Sequence, residues 1–174
     1  MNYFALVRPF LAIALLRGSP ENLPASGLLL GMSAFAYLIV SFAAYLMRFS
    51  IPLAFAVSLA ELAVATVLVG TTLMIARRSA RLMQTLTALI GTSAVMTFIS
   101  FPAYSWLNNA HEAGVSGPDH RLVAFLLLGW SMAVVTHVMR HALSCPPWVG
   151  LGIALGYTIL SLSIMNNVMQ ALGA

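Results

Sequence analysis

The chain has 174 residues, of which 61% are hydrophobic and 7% charged, with a mean hydropathy of +0.96. So few polar side chains cannot solvate a water-soluble surface, and the composition predicts an integral membrane protein without a separate soluble domain. The formal charge of +4 comes from eight arginines and no lysine against four acids, which in so apolar a chain marks the ends of membrane spans and not a nucleic-acid surface; the single cysteine, Cys145, excludes an intramolecular disulfide and paired-thiol chemistry.

The first apolar run, Tyr3 to Leu16 (YFALVRPFLAIALL), is short for a crossing and holds Arg8 and Pro9, with Arg17 just beyond it. It lacks the order of basic, apolar and small residues of a cleavable signal peptide. It is expected to be retained as an amphipathic helix over 1–17, lying in the interface with Arg8 and Arg17 reaching towards headgroups. In the next stretch, GSPENLPAS, Gly18 and Ser19 break that helix, Pro20 starts a turn and Ser26 is a candidate N-cap. Five runs long enough to cross a hydrocarbon core of ~30 Å follow, over 27–47, 51–76, 82–107, 122–144 and 148–172. The predicted fold is all-α: one polytopic membrane domain over 1–174, with five transmembrane helices behind one interfacial helix.

The connections RFS, RRSAR, NNAHEAGVSGPDHR and CPPW are too short to form domains, and the third reads as a solvated, mobile loop of fourteen residues. Arg8, Arg17, Arg77, Arg78, Arg81 and Arg140 fall on one side of this layout, and Arg48 and Arg121 on the other, beside Glu112 and Asp119. Positive-inside reasoning then puts the N-terminus in the cytoplasm and the C-terminus outside. The six arginines of the inner side are candidate contacts for anionic lipid or an acidic partner. Gly27 with Gly31 and Gly152 with Gly156 form small-xxx-small faces, which suit either a close crossing of the first and last spans or a dimer face.

Glu61 is the sharpest polar signal, because it lies about ten residues, or roughly 15 Å, into the second span. An ionised carboxylate near the midplane costs at least ~2.5 kcal/mol, so Glu61 should face the bundle interior, paired or protonated. Two readings stand: a proton- or cation-coupling group, or a neutral hydrogen-bonding residue that fixes helix register. Its partners by depth are Tyr37, Thr92, Ser93, Thr97, Trp130 and Ser131.

His137 and His141 stand four residues apart beside Arg140, a spacing that can supply metal or haem ligands but does not complete a site. The alternative is that all three complement the negative C-terminal end of the fourth span. His111 and His120 belong to the opposite side. Asn166, Asn167 and Gln170 serve either interhelical hydrogen bonds or a polar cavity, and the ten methionines read as packing. No Gly-rich phosphate loop, HExxH, CxxC or Ser-His-Asp grouping is present, so neither an enzyme nor a cofactor is expected.

The Arg-Pro pair in LVRPF, the segment SPENLPAS and the five closely connected spans together resemble the Yip family of Ypt/Rab-interacting membrane proteins, in its compact bacterial form. LGY, Leu155 to Tyr157, is similar to Gly-Tyr motifs of eukaryotic members. Their Asp-Leu-Tyr-Gly-Pro motif is not among these residues, so GTPase binding is not expected. The resemblance implies a non-enzymatic protein of the bacterial inner membrane, its C-terminus periplasmic, that organises membranes or acts as an accessory subunit through lipids, a partner protein or a second copy. It carries over no functional residue. A small transporter or channel using Glu61, and a haem- or metal-binding subunit using His137 or His141, are the alternatives.

Overall fold

The computed structural model describes residues 3–115 and 117–171, which form α-helices joined by short turns. The helices are α1 (Tyr3–Ala14), α2 (Gly27–Tyr45), α3 (Ile51–Ile75), α4 (Leu82–Glu112), α5 (Pro118–Leu143) and α6 (Pro147–Ala171). The last five are long and apolar enough to cross a membrane, as the sequence predicts, although residue 172 of the last predicted span lies outside the described residues. The fourteen-residue loop is corrected: α4 continues through Glu112 and α5 begins at Pro118, leaving a connection of only 113–117. Polarity misleads there, because a helix that leaves the bilayer can stay helical in water, and proline at the first helical position favours an early start for α5.

Local chemistry sets these boundaries. Ser26 Oγ accepts from the Leu29 backbone N–H at 3.4 Å, the N-cap expected for α2, and prolines stand in the first turns of α3, α5 and α6. Four C-termini close in the same way: Leu16, Arg77, Gly114 and Ser144 take left-handed backbone angles, with φ of 61°, 56°, 68° and 50°. After α1, for example, Leu16 N–H reaches the Ile13 carbonyl at 2.9 Å and Arg17 N–H the Ala12 carbonyl at 2.8 Å. These paired bonds satisfy the last carbonyls of each helix, which offsets the cost of left-handed geometry at three non-glycine residues.

Around the bundle, α2 packs on α3, α3 on α6, α6 on α5, α5 on α4 and α4 on α2, so the five spans close into a ring. The first half of α4 is its most enclosed part, with residues 85–92 all buried. Outward-facing Leu28, Phe35, Phe98, Phe125 and Ile159 are exposed, the surface a lipid phase requires.

The N-terminal helix is fixed by protein contacts as well as by its amphipathic face. It lies on α4 and touches α5, with Phe10, Ile13 and Ala14 buried and Arg8 and Arg17 exposed. Phe10 packs directly over Gly91, about 13 Å along α4 from its first residue. A Cβ on Gly91 would stand 2.4 Å from the Phe10 ring, so any larger residue must displace that ring.

The close crossing expected between the first and last spans is not formed: α2 and α6 are not a packed pair. Nothing lies within 4 Å of a Cβ built on Gly31, Gly152 or Gly156, and Gly27 meets only the end of the Met83 side chain at 3.6 Å. Tight glycine contacts with a neighbouring helix are instead at Gly91 and at Gly150, where a Cβ would be 2.7 Å from the Thr136 carbonyl oxygen. Spacing alone does not identify which glycines meet a neighbouring backbone or ring.

Candidate functional site

Helical periodicity collects polar side chains on the inner faces of the spans. Tyr37, Ser41 and Tyr45 recur every four residues on α2; Ser93, Thr97, Ser100, Tyr104, Asn108 and His111 recur every three or four on α4; Tyr157 and Ser161 share a face of α6. They line a cavity of about 920 Å³ inside the ring. Arg48, His111, Val115, His120 and Arg121 line its mouth, at the end of the bundle formed by the α2–α3 turn and the α4–α5 connection.

The mouth is organised by short contacts. Arg48 Nη2 donates to His111 Nε2 at 3.3 Å, and the rings of Trp106 and His120 stack with centroids 4.1 Å apart. Asn108 Nδ2 donates to the Met47 carbonyl at 3.0 Å and to Glu112 Oε1 at 2.9 Å, tying α4 to the chain that leaves α2. The two arginines are offset by Glu112 and Asp119 nearby in sequence, so this end carries no strong excess of either sign.

Glu61 enters the cavity from α3, roughly 15 Å from the start of that helix. The Tyr37 hydroxyl donates to its Oε2 at 2.9 Å and the Ser161 hydroxyl to its Oε1 at 3.4 Å, so one carboxyl group links α2, α3 and α6. Among the described residues, no arginine or histidine lies within ion-pair distance of it. Any negative charge on Glu61 is therefore met by hydroxyl dipoles, by water entering from the mouth, or by a bound cation.

Of the partners expected by depth, Tyr37 is bonded to Glu61, and Ser93, Thr97, Trp130 and Ser131 line the same cavity. Thr92 is buried beside them without lining it, and its Oγ1 has no hydrogen-bond partner. Asn166, Asn167 and Gln170 are all exposed, and Asn166 also lines the cavity. Depth did not pick out Tyr45, Tyr104, Tyr157 or Ser161 as neighbours of Glu61. Their signal is the recurrence of hydroxyl-bearing residues at helical spacing within a span, which depth alone does not register.

The far end of the cavity rests on the N-terminal segment. Trp130 Nε1 donates to the Ala14 carbonyl at 2.8 Å, and Trp130 also lines the cavity. One step nearer the arginine-rich end, His137 Nε2 donates to the Gly18 carbonyl at 2.7 Å; a carbonyl only accepts, so this nitrogen carries the hydrogen. The His141 ring lies edge-on to His137, centroids 4.6 Å apart. His137 thus fastens the segment that follows α1, so one member of the histidine pair is already engaged. Among the described residues, no group of three or more His, Cys, Asp or Glu gathers where a metal ion would bind.

At the arginine-rich end, Arg81 Nη1 lies 3.0 Å from the His141 carbonyl, 3.2 Å from that of Ala142, 3.1 Å from Ser144 Oγ and 3.3 Å from Glu21 Oε1. Arg78 Nη1 donates to Ser144 Oγ at 2.8 Å, while Arg8, Arg17, Arg77 and Arg140 are exposed. Of the six arginines grouped by sequence, two therefore close the C-terminal end of α5 and four face outwards. Compared with known protein families, curated proteins and solved structures, the chain matches none.

Proposed function

We propose that the protein is a small membrane transport protein in which Glu61 is the cation-binding group of the internal cavity. One observation carries this reading: a carboxyl group lies between five spans, held by the hydroxyls of Tyr37 and Ser161, on the wall of a cavity of about 920 Å³ and without a basic partner among the described residues. A register-fixing hydrogen bond needs only the Tyr37 contact; it does not need a cavity of about 920 Å³ with further hydroxyl groups on its wall. A role in membrane organisation, implied by the Yip resemblance, gives Glu61 no task. The distribution of arginines supports a mouth facing the periplasm of a bacterial inner membrane, with the Arg77, Arg78, Arg81 and Arg140 end in the cytoplasm.

Reconstitution into liposomes tests the proposal. Under an imposed inside-negative potential, the wild-type protein should carry charge inward in a buffer containing sodium or a small ammonium ion, read with a potential-sensitive dye. Glu61→Gln, folded by the criterion of its thermal melt, should lose that current. Equal currents in protein-free and wild-type liposomes, or in wild type and variant, would refute the assignment.

A further inference from the structure

The chemistry of the cavity wall narrows the cation. We infer that the ligand of this cavity is a monovalent organic ammonium ion, bound with its charge at Glu61 and its alkyl surface against aromatic rings. The inference rests on the cation-binding reading given above.

Four of the five tyrosines of the chain, Tyr37, Tyr45, Tyr104 and Tyr157, line the cavity, and Trp130 joins them. They come from α2, α4, α5 and α6, so aromatic side chains stand on four of the five helices that surround it, and Glu61 stands on the fifth. Ring faces carry partial negative charge and attract cations, most strongly where water is scarce. One carboxylate balances one positive charge.

The other ligand classes fit less well. An anion would meet Glu61 with no basic group at that depth, since Arg48 and Arg121 stand at the mouth. A neutral apolar molecule would cover the carboxylate without replacing the water it displaces. A calcium-like metal ion needs six or more oxygen ligands, usually with several carboxylates, but among the described residues no group of three or more His, Cys, Asp or Glu forms. An alkylammonium ion needs only one carboxylate and ring faces, and a cavity of about 920 Å³ holds a small molecule of this type with room to spare.

Calorimetric titration of the purified protein in detergent tests this, with tetraethylammonium, sodium and methanesulfonate each added as the probe at constant ionic strength. Tetraethylammonium should bind at one site, with sodium at least about tenfold weaker and methanesulfonate without measurable heat. Glu61→Gln should weaken tetraethylammonium by about tenfold or more, whereas Glu61→Asp, which keeps the charge, should retain most of the affinity. Tyr157→Leu should weaken it about fivefold, while Tyr157→Phe, which keeps the ring face and removes the hydroxyl, should stay within about twofold.

Sodium binding as tight as tetraethylammonium, or equal losses from the Leu and Phe variants at Tyr157, would overturn the ammonium assignment while leaving Glu61 a cation site. Loss of all Glu61-dependent binding, with sodium and ammonium alike, would overturn both readings.

Discussion

The indole of Trp130 lies between two compartments of the molecule: it forms part of the cavity wall, and its Nε1 donates to the Ala14 carbonyl at 2.8 Å, 116 residues away in the chain. A helix C-terminus presents unpaired carbonyls, which inside a membrane have no water to turn to. The backbone turn at Leu16 satisfies some of them and Trp130 satisfies another, so the end of α1 is seated by a residue of the cavity itself.

Replacing Trp130 with Phe keeps a ring in place but leaves the Ala14 carbonyl without that donor. The expected cost is about 1–3 kcal/mol, the penalty for an unsatisfied buried acceptor. Hydrogen exchange followed by mass spectrometry should show faster exchange in the peptides that cover α1, with α3 and α6 unchanged. Unaltered protection of α1 would mean that the indole bond does not seat it.

The Phe10 and Gly91 contact gives a second prediction. A Cβ at position 91 would lie 2.4 Å from the Phe10 ring, so Gly91→Ala must displace that ring or the whole of α1. Overpacking of this kind costs about 1–3 kcal/mol. Phe10→Ala alone should also destabilise, by lost burial, but Gly91→Ala added to it should cost little more. The two effects are therefore non-additive in a double-mutant cycle of thermal stability. Strict additivity would separate α1 from α4.

Arg81 supports two interactions of unequal weight. Its pairing with Glu21 at 3.3 Å joins side chains that are 35% and 52% exposed, and such pairs are worth about 0–1 kcal/mol. Its contacts with the His141 and Ala142 carbonyls close the end of α5, where a cation also meets the negative pole of the helix. Arg81→Gln should therefore destabilise by about 1–2 kcal/mol, and Glu21→Gln by less than about half of that. Both are read from thermal melts in detergent, and equal losses would assign the stability to the ion pair.

The spans were legible in the sequence because hydrophobic length is a direct physical requirement of the bilayer, and Ser26 was legible because an N-cap needs its hydroxyl in one place. The depth of Glu61 and its pairing with Tyr37 followed from counting residues along the helices. Packing partners did not follow. Gly31 and Gly156 have the spacing of a crossing but face open space, whereas Gly91, in no such motif, carries Phe10. Lipid and protein interior are equally apolar, so hydrophobicity does not tell a span which face to turn inward. The polar stripes do tell it: Tyr37, Ser41 and Tyr45 on one face of α2 point to a cavity that no single residue announces. His137 shows the opposite limit, since its partner, the Gly18 carbonyl, is a backbone atom 119 residues distant and carries no sequence signature.

The central claim is that Glu61 makes a water-accessible, cation-selective cavity inside the bundle. The most direct measurement places a cysteine at Ser161, within 3.4 Å of the Glu61 carboxyl, in a Cys145→Ser background that removes the only native thiol. The rates of modification by a cationic and an anionic methanethiosulfonate of similar size are then compared, each added from the side of Arg48 and Arg121. The cationic reagent should react at least about tenfold faster, and the difference should vanish when Glu61→Gln is added. No modification from that side, or equal rates for the two reagents with Glu61 intact, would contradict the account.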